Sequence, residues 1–216
     1  MMKWIRSKLV LVTGGLVLAL AVGAAHADSV VFQDNFNSEN GGNGTLAYTG
    51  LSNWTVTNGS LDLIGDGFWD LLPGNGLYLD MDGNTQDAAT MHLTGGLNLG
   101  PGTYELNFDL AGNQRNGHSD SMTASFGGTS QLFTLPSNAG FATKSLLLNL
   151  ANAANVSVIF NHTGGDNEGL LMDNVKISKL DSGSNGSVSS VPTPAAAVAG
   201  LALMGVLGLR RRRTQA

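Results

Sequence analysis

The sequence predicts an all-β domain of sandwich type set between two apolar, helical chain ends. Three observations carry the prediction. Apolar and polar residues alternate with period two in many short runs, no helical period is sustained across residues 28–190, and Gly- and Asn-rich turn dipeptides separate the runs.

At the N-terminus Lys3, Arg6 and Lys8 precede an apolar stretch over 9–22, and Ala25-His26-Ala27 places small residues at the two positions that signal peptidase reads. This predicts a signal-peptide helix over 1–27, cleaved before Asp28. The alternative, a retained membrane helix, is opposed by Thr13, Gly14 and Gly15, which interrupt the apolar run.

The domain is expected over 28–180. Its first strand is placed at 30–36, where Phe32, Asp34 and Phe36 share a face. Strands follow at 54–57, 61–64, 77–80 and 89–93. In the third of these, Leu77 and Leu79 oppose Tyr78 and Asp80. The clearest is 103–110, with Tyr104, Leu106, Phe108 and Leu110 on one face and Thr103, Glu105, Asn107 and Asp109 on the other, as a half-buried strand requires. Segments 121–126 and 155–160 repeat the pattern through Met122, Ala124 and Phe126 and through Val156, Val158 and Phe160. Segments 131–135, 142–148 and 170–178 complete the set. Between them Asn58-Gly59, Asp66-Gly67, Asp82-Gly83, Pro101-Gly102, Asn116-Gly117 and Gly164-Gly165 supply tight or left-handed turn positions.

A polar linker over 181–190 leads to a tail at 191–216: Val191-Pro192-Thr193-Pro194, an apolar run over 195–209, and four arginines from Arg210 to Arg213. The run spans about 22 Å as a helix, short of the roughly 30 Å hydrocarbon core. The basic cluster would stay cytoplasmic and leave the domain outside. A simple C-terminal membrane anchor is one reading of such a tail. Its tripartite order also resembles the PEP-CTERM sorting signal, although Thr193 stands where that family usually has Glu. The resemblance implies a Gram-negative bacterium that makes exopolysaccharide, brief residence in the inner membrane, and cutting by an exosortase-like enzyme at Val191, Pro192, Thr193 and Pro194.

All sixteen acidic residues lie between Asp28 and Asp181, against only Arg115, Lys144, Lys176 and Lys179, so residues 28–190 carry a formal charge of −12 that the whole-chain value of −5 conceals. An acidic domain without a basic patch excludes nucleic acid as partner. With no cysteine, thiol chemistry and disulfide stapling are excluded too.

The domain is similar to galactose-binding-like jelly rolls of the kind found in carbohydrate-binding modules. The similarity is carried by Phe32-Gln33-Asp34-Asn35-Phe36, by the stretch Asn75-Gly76-Leu77-Tyr78-Leu79-Asp80-Met81-Asp82-Gly83, by Pro101-Gly102-Thr103-Tyr104-Glu105-Leu106, and by Leu171-Met172-Asp173-Asn174-Val175. It implies a jelly-roll β-sandwich with its terminal strands side by side. It also implies a structural Ca2+ between them, with Asp34 and Asp173 as hard-oxygen ligands. Read from the residues alone, Asp173 and Asn174 are equally served by capping nearby amides. By alternation Asp173 shares a face with Leu171, Val175 and Ile177.

Sugar recognition calls for an exposed aromatic beside polar groups on loops. Trp69 in a Gly/Asp-rich segment, Tyr48 after the first strand, and Arg115 in Asn113-Gln114-Arg115-Asn116 are the candidates, although residues such as Trp54 and Trp69 are more often core residues than platforms. Asp80, Asp82, Asn84 and Asp87 superficially match a calcium loop, but Gly83 is misplaced and Met91 stands where Glu is required. Asp80 and Asp82, beside Tyr78, are expected on a solvated strand face. Catalytic signatures are missing, and Asp166 with Glu168, the one candidate carboxylate pair, reads first as a turn.

The sequence thus predicts a non-catalytic exported surface or exopolysaccharide-associated protein of the cell envelope or extracellular matrix, binding a glycan. The alternatives are a structural matrix protein without a discrete glycan site, and a secreted glycoside hydrolase.

Overall fold

The computed structural model describes residues 28–180 apart from Gln86 and Asn116. The expected signal peptide, the linker and the tail with Val191, Pro192, Thr193 and Pro194 lie outside the described residues.

The described chain is an all-β, jelly-roll-type sandwich. Its strands are β1 (Ser29–Asp34), β2 (Thr45–Tyr48), β3 (Trp54–Thr57), β4 (Leu61–Gly65), β5 (Leu77–Asp80), β6 (Thr90–Leu93), β7 (Leu97–Leu99), β8 (Gly102–Ala111), β9 (Ser119–Phe126), β10 (Thr129–Pro136), β11 (Ala142–Leu150), β12 (Ala154–Val156), β13 (Val158–Thr163) and β14 (Leu171–Leu180). A seven-stranded sheet runs β11-β8-β14-β5-β4-β2, with β1 also pairing β14. A five-stranded sheet runs β10-β9-β13-β6-β3, and β12 pairs β7 in a small third sheet.

Alternation dictates the core. Tyr104, Leu106, Phe108 and Leu110 of β8 face Met122, Ala124 and Phe126 of β9 and Phe160 of β13 across one continuous cluster. Edge-to-face contacts of Phe108 with Phe133 and with Phe160, at 5.5 and 5.0 Å, fill its centre. The β9–β10 hairpin closes through Gly127-Gly128 in register Phe126↔Thr129, with Gly127 at φ +59, a value that suits glycine.

Three expectations are corrected. The alternation of 155–160 holds, but the chain changes partner at Ser157, so β12 joins β7 while β13 joins β6 and β9. β2 and β7 lie where no strand was expected, because four and three residues are too few to show a period. And β14 carries a bulge between Asp173 and Lys176, with Asn174 at φ +51. The extra residue separates Asp173 from Val175 and Ile177, which enter the main core, while Leu171 joins a second cluster. The bulge also marks where β14 exchanges β5 for β1 along the same edge.

That second cluster lies on the outer face of the seven-stranded sheet. Ile64, Tyr78, Ala111 and Leu171 are buried there beneath Leu46, Phe68, Leu71, Leu72 and Phe141. The segment 66–76 has folded back over Tyr78, while Arg115 and the turn 164–169 close over Asp80 and Asp82, which is why all three are fully buried rather than on a solvated face.

Candidate functional site

Segment 66–76 is held by its own backbone and by one phenol. Gly65 and Phe68 exchange N–H···O bonds of 2.8 and 2.9 Å, closing a turn through Asp66 and Gly67, at φ +49 and +85. The Tyr78 hydroxyl accepts the N–H of Leu72 at 2.8 Å and donates to Asp70 Oδ1 at 3.1 Å. Burial, with Asp70 beside it, pushes this phenol up to about 12. With Phe68 pinned inward, the next side chain must leave the surface: Trp69, at φ +47, is 62% exposed. Trp54, by contrast, is a core residue.

Trp69 stands at a cavity of about 290 Å³ whose walls are Leu46, Asp62, Ile64, Asn84, Arg115, Asn167 and Glu168. The structure therefore brings together two of the three predicted binding residues, Trp69 and Arg115, from segments 46 residues apart in sequence. It does not bring Tyr48 to them. Tyr48 packs against the core, and its hydroxyl donates to Gly50 O at 2.9 Å.

Arg115 is aimed by its loop. The Gln114 side-chain amide donates to the carbonyls of Gly112, Ser137 and Ala139, and the Arg115 N–H donates to Asn113 Oδ1 at 2.7 Å. The guanidinium then reaches Asp80 Oδ2 at 2.8 Å and the Asn167 carbonyl at 2.5 Å. Burial pushes the Asp80 carboxyl well above the usual carboxylate range, and Arg115 with the N–H groups of Asp82 and Gly169 offsets part of that rise.

The same buried groups shape the far wall. Asp82 Oδ2 accepts the N–H groups of Gly165 and Asp166 at 2.7 and 3.2 Å, and His162 Nε2 accepts that of Leu170 at 3.1 Å. Burial pushes His162 down to about 4. Among the described residues, Asp82 Oδ1 and His162 Nδ1 are buried without a hydrogen-bond partner. Gly169 admits no side chain, since a Cβ there would strike the backbone of Asp82. Asp166 Oδ1 accepts the N–H of Glu168 at 3.2 Å, the bond of the turn expected at 164–169.

Asp62 was not marked as a binding residue, yet it forms the floor. Its Oδ1 accepts the N–H groups of Ala47 and Asn84 at 2.7 and 3.1 Å, and the residue is 5% exposed. A signal existed in the sequence: in 61–64, alternation sets Asp62 with Ile64 against Leu61 and Leu63.

Asp34 and Asp173 lie elsewhere, near a second recess of about 370 Å³ lined by Gln33, Asp34, Asn35, Asn53, Asn174 and Lys176 among others. Asp34 accepts from Phe36 N–H at 3.0 Å, Asn53 Nδ2 at 3.0 Å and Trp54 Nε1 at 2.9 Å. Asp173 accepts from the Asn174 N–H at 2.7 Å and from Asn174 Nδ2 at 3.2 Å, and Asn174 Nδ2 also donates to Asp109. Burial pushes Asp173 up to about 7, the charges of Asp109 and Asp34 adding to the rise. The oxygens are of the kind Ca2+ takes, but they are already engaged by N–H donors. Among the described residues no group of three or more His, Asp or Glu is arranged to hold a metal. A cation here would have to replace Asn53, Trp54 or Asn174 as the partner of these carboxylates.

No protein-family profile matches the chain, and no curated protein matches it. Among solved structures, the chain is similar to a family 35 carbohydrate-binding module from Paenibacillus barcinonensis, at 18% identity and TM-score 0.40, covering 63% of this chain and 100% of that one. It is similar to the family 22 xylan-binding domain of Xyn10C from the same organism, at 11% identity and TM-score 0.44, covering 73% and 99%. It is also similar to the C-terminal family 6 module of LamC, a laminarinase of Zobellia galactanivorans, at 15% identity and TM-score 0.40, covering 63% and 100%.

Proposed function

We propose that the domain is a non-catalytic carbohydrate-binding module whose site is the cavity beside Trp69. One observation carries this reading: a tryptophan 62% exposed, on a loop pinned by the buried Tyr78, stands over a recess lined with hydrogen-bonding side chains. Large aromatics are left in water at a cost, and here the fold holds one out over polar groups. An indole face stacks on the apolar face of a pyranose, while Asp62, Asn84 and Glu168 suit its hydroxyls.

Trp69→Ala tests the reading. It is expected to weaken binding to the host's exopolysaccharide tenfold or more, measured by affinity electrophoresis, with the melting temperature unchanged because Trp69 contributes little to the core. Undiminished retention sinks the proposal and favours a matrix protein without a discrete glycan site.

The same reading includes delivery and anchoring. The signal peptide exports the chain, and an exosortase-like enzyme cuts the tail near Pro192 and releases the domain from the inner membrane to the envelope or matrix. Intact mass of the protein from its native host is expected to match a chain that begins at Asp28 and ends near Pro192. A product that begins at Asp28 and still carries Arg210 to Arg213 identifies an ordinary anchor. Structural Ca2+ at Asp34 and Asp173 also belongs to the proposal, displacing the N–H donors that now hold these carboxylates.

A further inference from the structure

From the charges around the Trp69 cavity we infer that its ligand carries a free ammonium group: an amino sugar within a glycan, rather than a uronic acid or a wholly neutral sugar. This rests on the carbohydrate-binding reading of the same cavity. Among the described residues, the only cationic side chain in its walls, Arg115, is spent on Asp80 at 2.8 Å and on the Asn167 carbonyl. Two carboxylate side chains, Asp62 and Glu168, line the cavity besides.

Asp62 is the decisive group. It is only 5% exposed, its Oδ1 receives two backbone N–H groups, and no hydrogen bond among the described residues reaches its Oδ2, which is not among the enclosed unpartnered atoms and so opens on the cavity. A carboxylate fixed at one oxygen and bare at the other, at the floor of a recess, is a preformed acceptor for a cationic donor. An ammonium on the sugar ring supplies that donor, and Trp69 above it offers a π face that favours a cation. A uronate would meet Asp62 and Glu168 as like charges, and could reach Arg115 only by taking it from buried Asp80. The surrounding field agrees, since residues 28–190 carry a formal −12. At about 290 Å³ the cavity is at the small end of ligand sites, with room for about one or two sugar rings.

The test is calorimetric titration of the full chain at low ionic strength and pH 6 with three tetramers: fully de-acetylated chitotetraose, its N-acetylated counterpart, and tetragalacturonate. The de-acetylated tetramer is expected to bind at least tenfold more tightly than the acetylated one, and the galacturonate not to bind. Asp62→Asn, which keeps an oxygen for Ala47 and Asn84, is expected to bring the two chitotetraoses within threefold of each other. Equal binding of both by the wild type, lost in Trp69→Ala, overturns the ammonium inference and leaves the carbohydrate reading standing. A preference that survives in Asp62→Asn overturns it as well, because the acidic surface at large is then the cause. Binding of none of the three overturns the ammonium inference, and the exopolysaccharide assay with Trp69→Ala then decides the carbohydrate reading by itself.

Discussion

Replacing Arg115 by Met is expected to lower the unfolding free energy by about 3–5 kcal/mol, the cost of stranding one partner of a buried ion pair. The partner is Asp80, fully buried, with Arg115 at 2.8 Å as its only ion pair among the described residues. Met keeps the apolar stem, so lost packing is not the main effect. The sign of the pH response identifies the cause. Without the guanidinium the folded-state carboxyl rises further above its unfolded value, so the folded protein binds the extra proton. Both proteins therefore gain stability as pH falls from neutral toward about 4, and the deficit of Arg115→Met widens as pH rises above neutral, where only the wild type keeps the carboxylate paired. The double variant Asp80→Asn/Arg115→Met recovers most of the loss, because the amide that replaces the carboxylate can still accept the N–H groups of Asp82 and Gly169 without carrying charge. Urea unfolding of the four proteins gives the coupling directly. A coupling energy below about 1 kcal/mol would make this an ordinary surface pair.

The Arg115–Asp80 pair also shows where the sequence is legible and where it is not. Alternation places Asp80 opposite Leu77 and Leu79, and the structure agrees. What lies on that outer face is another matter, because it depends on segments 66–76 and 112–117 arriving from elsewhere, and period-two patterning is silent about contacts between distant segments. Trp54 and Trp69 make the same point. Both sit in runs a core accepts, and only Phe68, anchored under the loop beside Gly44, decides that its neighbour faces water. The expected strand 170–178 was placed correctly, and Asp173 keeps Leu171 on its face but loses Val175 and Ile177 through one left-handed residue, Asn174, at the point where β14 exchanges β5 for β1. Tyr48 stands apart from the Trp69 cavity because β2, too short to be read, turns its ring against the core.

Two buried titrating groups give the second large effect, and they oppose each other. His162 is pushed down to about 4 by burial, so the folded state binds fewer protons than the unfolded chain between about 4 and 6.5. Its share of stability is complete above 6.5 and is lost as pH falls toward 4, about 3 kcal/mol in all. The carboxylates of Asp82 and Asp166 face it and temper the loss. Asp173 is pushed up to about 7, so the folded state binds more protons between about 4 and 7, and stability is lost as pH rises through that range, by about 2–4 kcal/mol. Asp80 adds to this arm in the same direction. With Asp80 the carboxyls outweigh the histidine, so the wild-type protein is expected to gain stability as pH falls from 6.5 to 4, and single variants should tilt that slope in opposite senses. Asp173→Asn leaves the histidine to offset Asp80 and flattens the gain on acidification. His162→Gln, whose side-chain oxygen can take the Leu170 N–H, leaves the carboxyls, so that variant gains stability from pH 7 down to 4. Chemical unfolding across that range reads both slopes, and parallel profiles for the two variants would refute the assignment. The His162→Gln profile also tests calcium at Asp34 and Asp173. A bound cation keeps Asp173 ionised in the folded state, so millimolar Ca2+ should raise stability at pH 7 and flatten the gain on acidification, and chelator should restore it. A profile indifferent to both means that Asp34 keeps Trp54 and Asn53 as partners, and that the terminal strands are joined by hydrogen bonds alone.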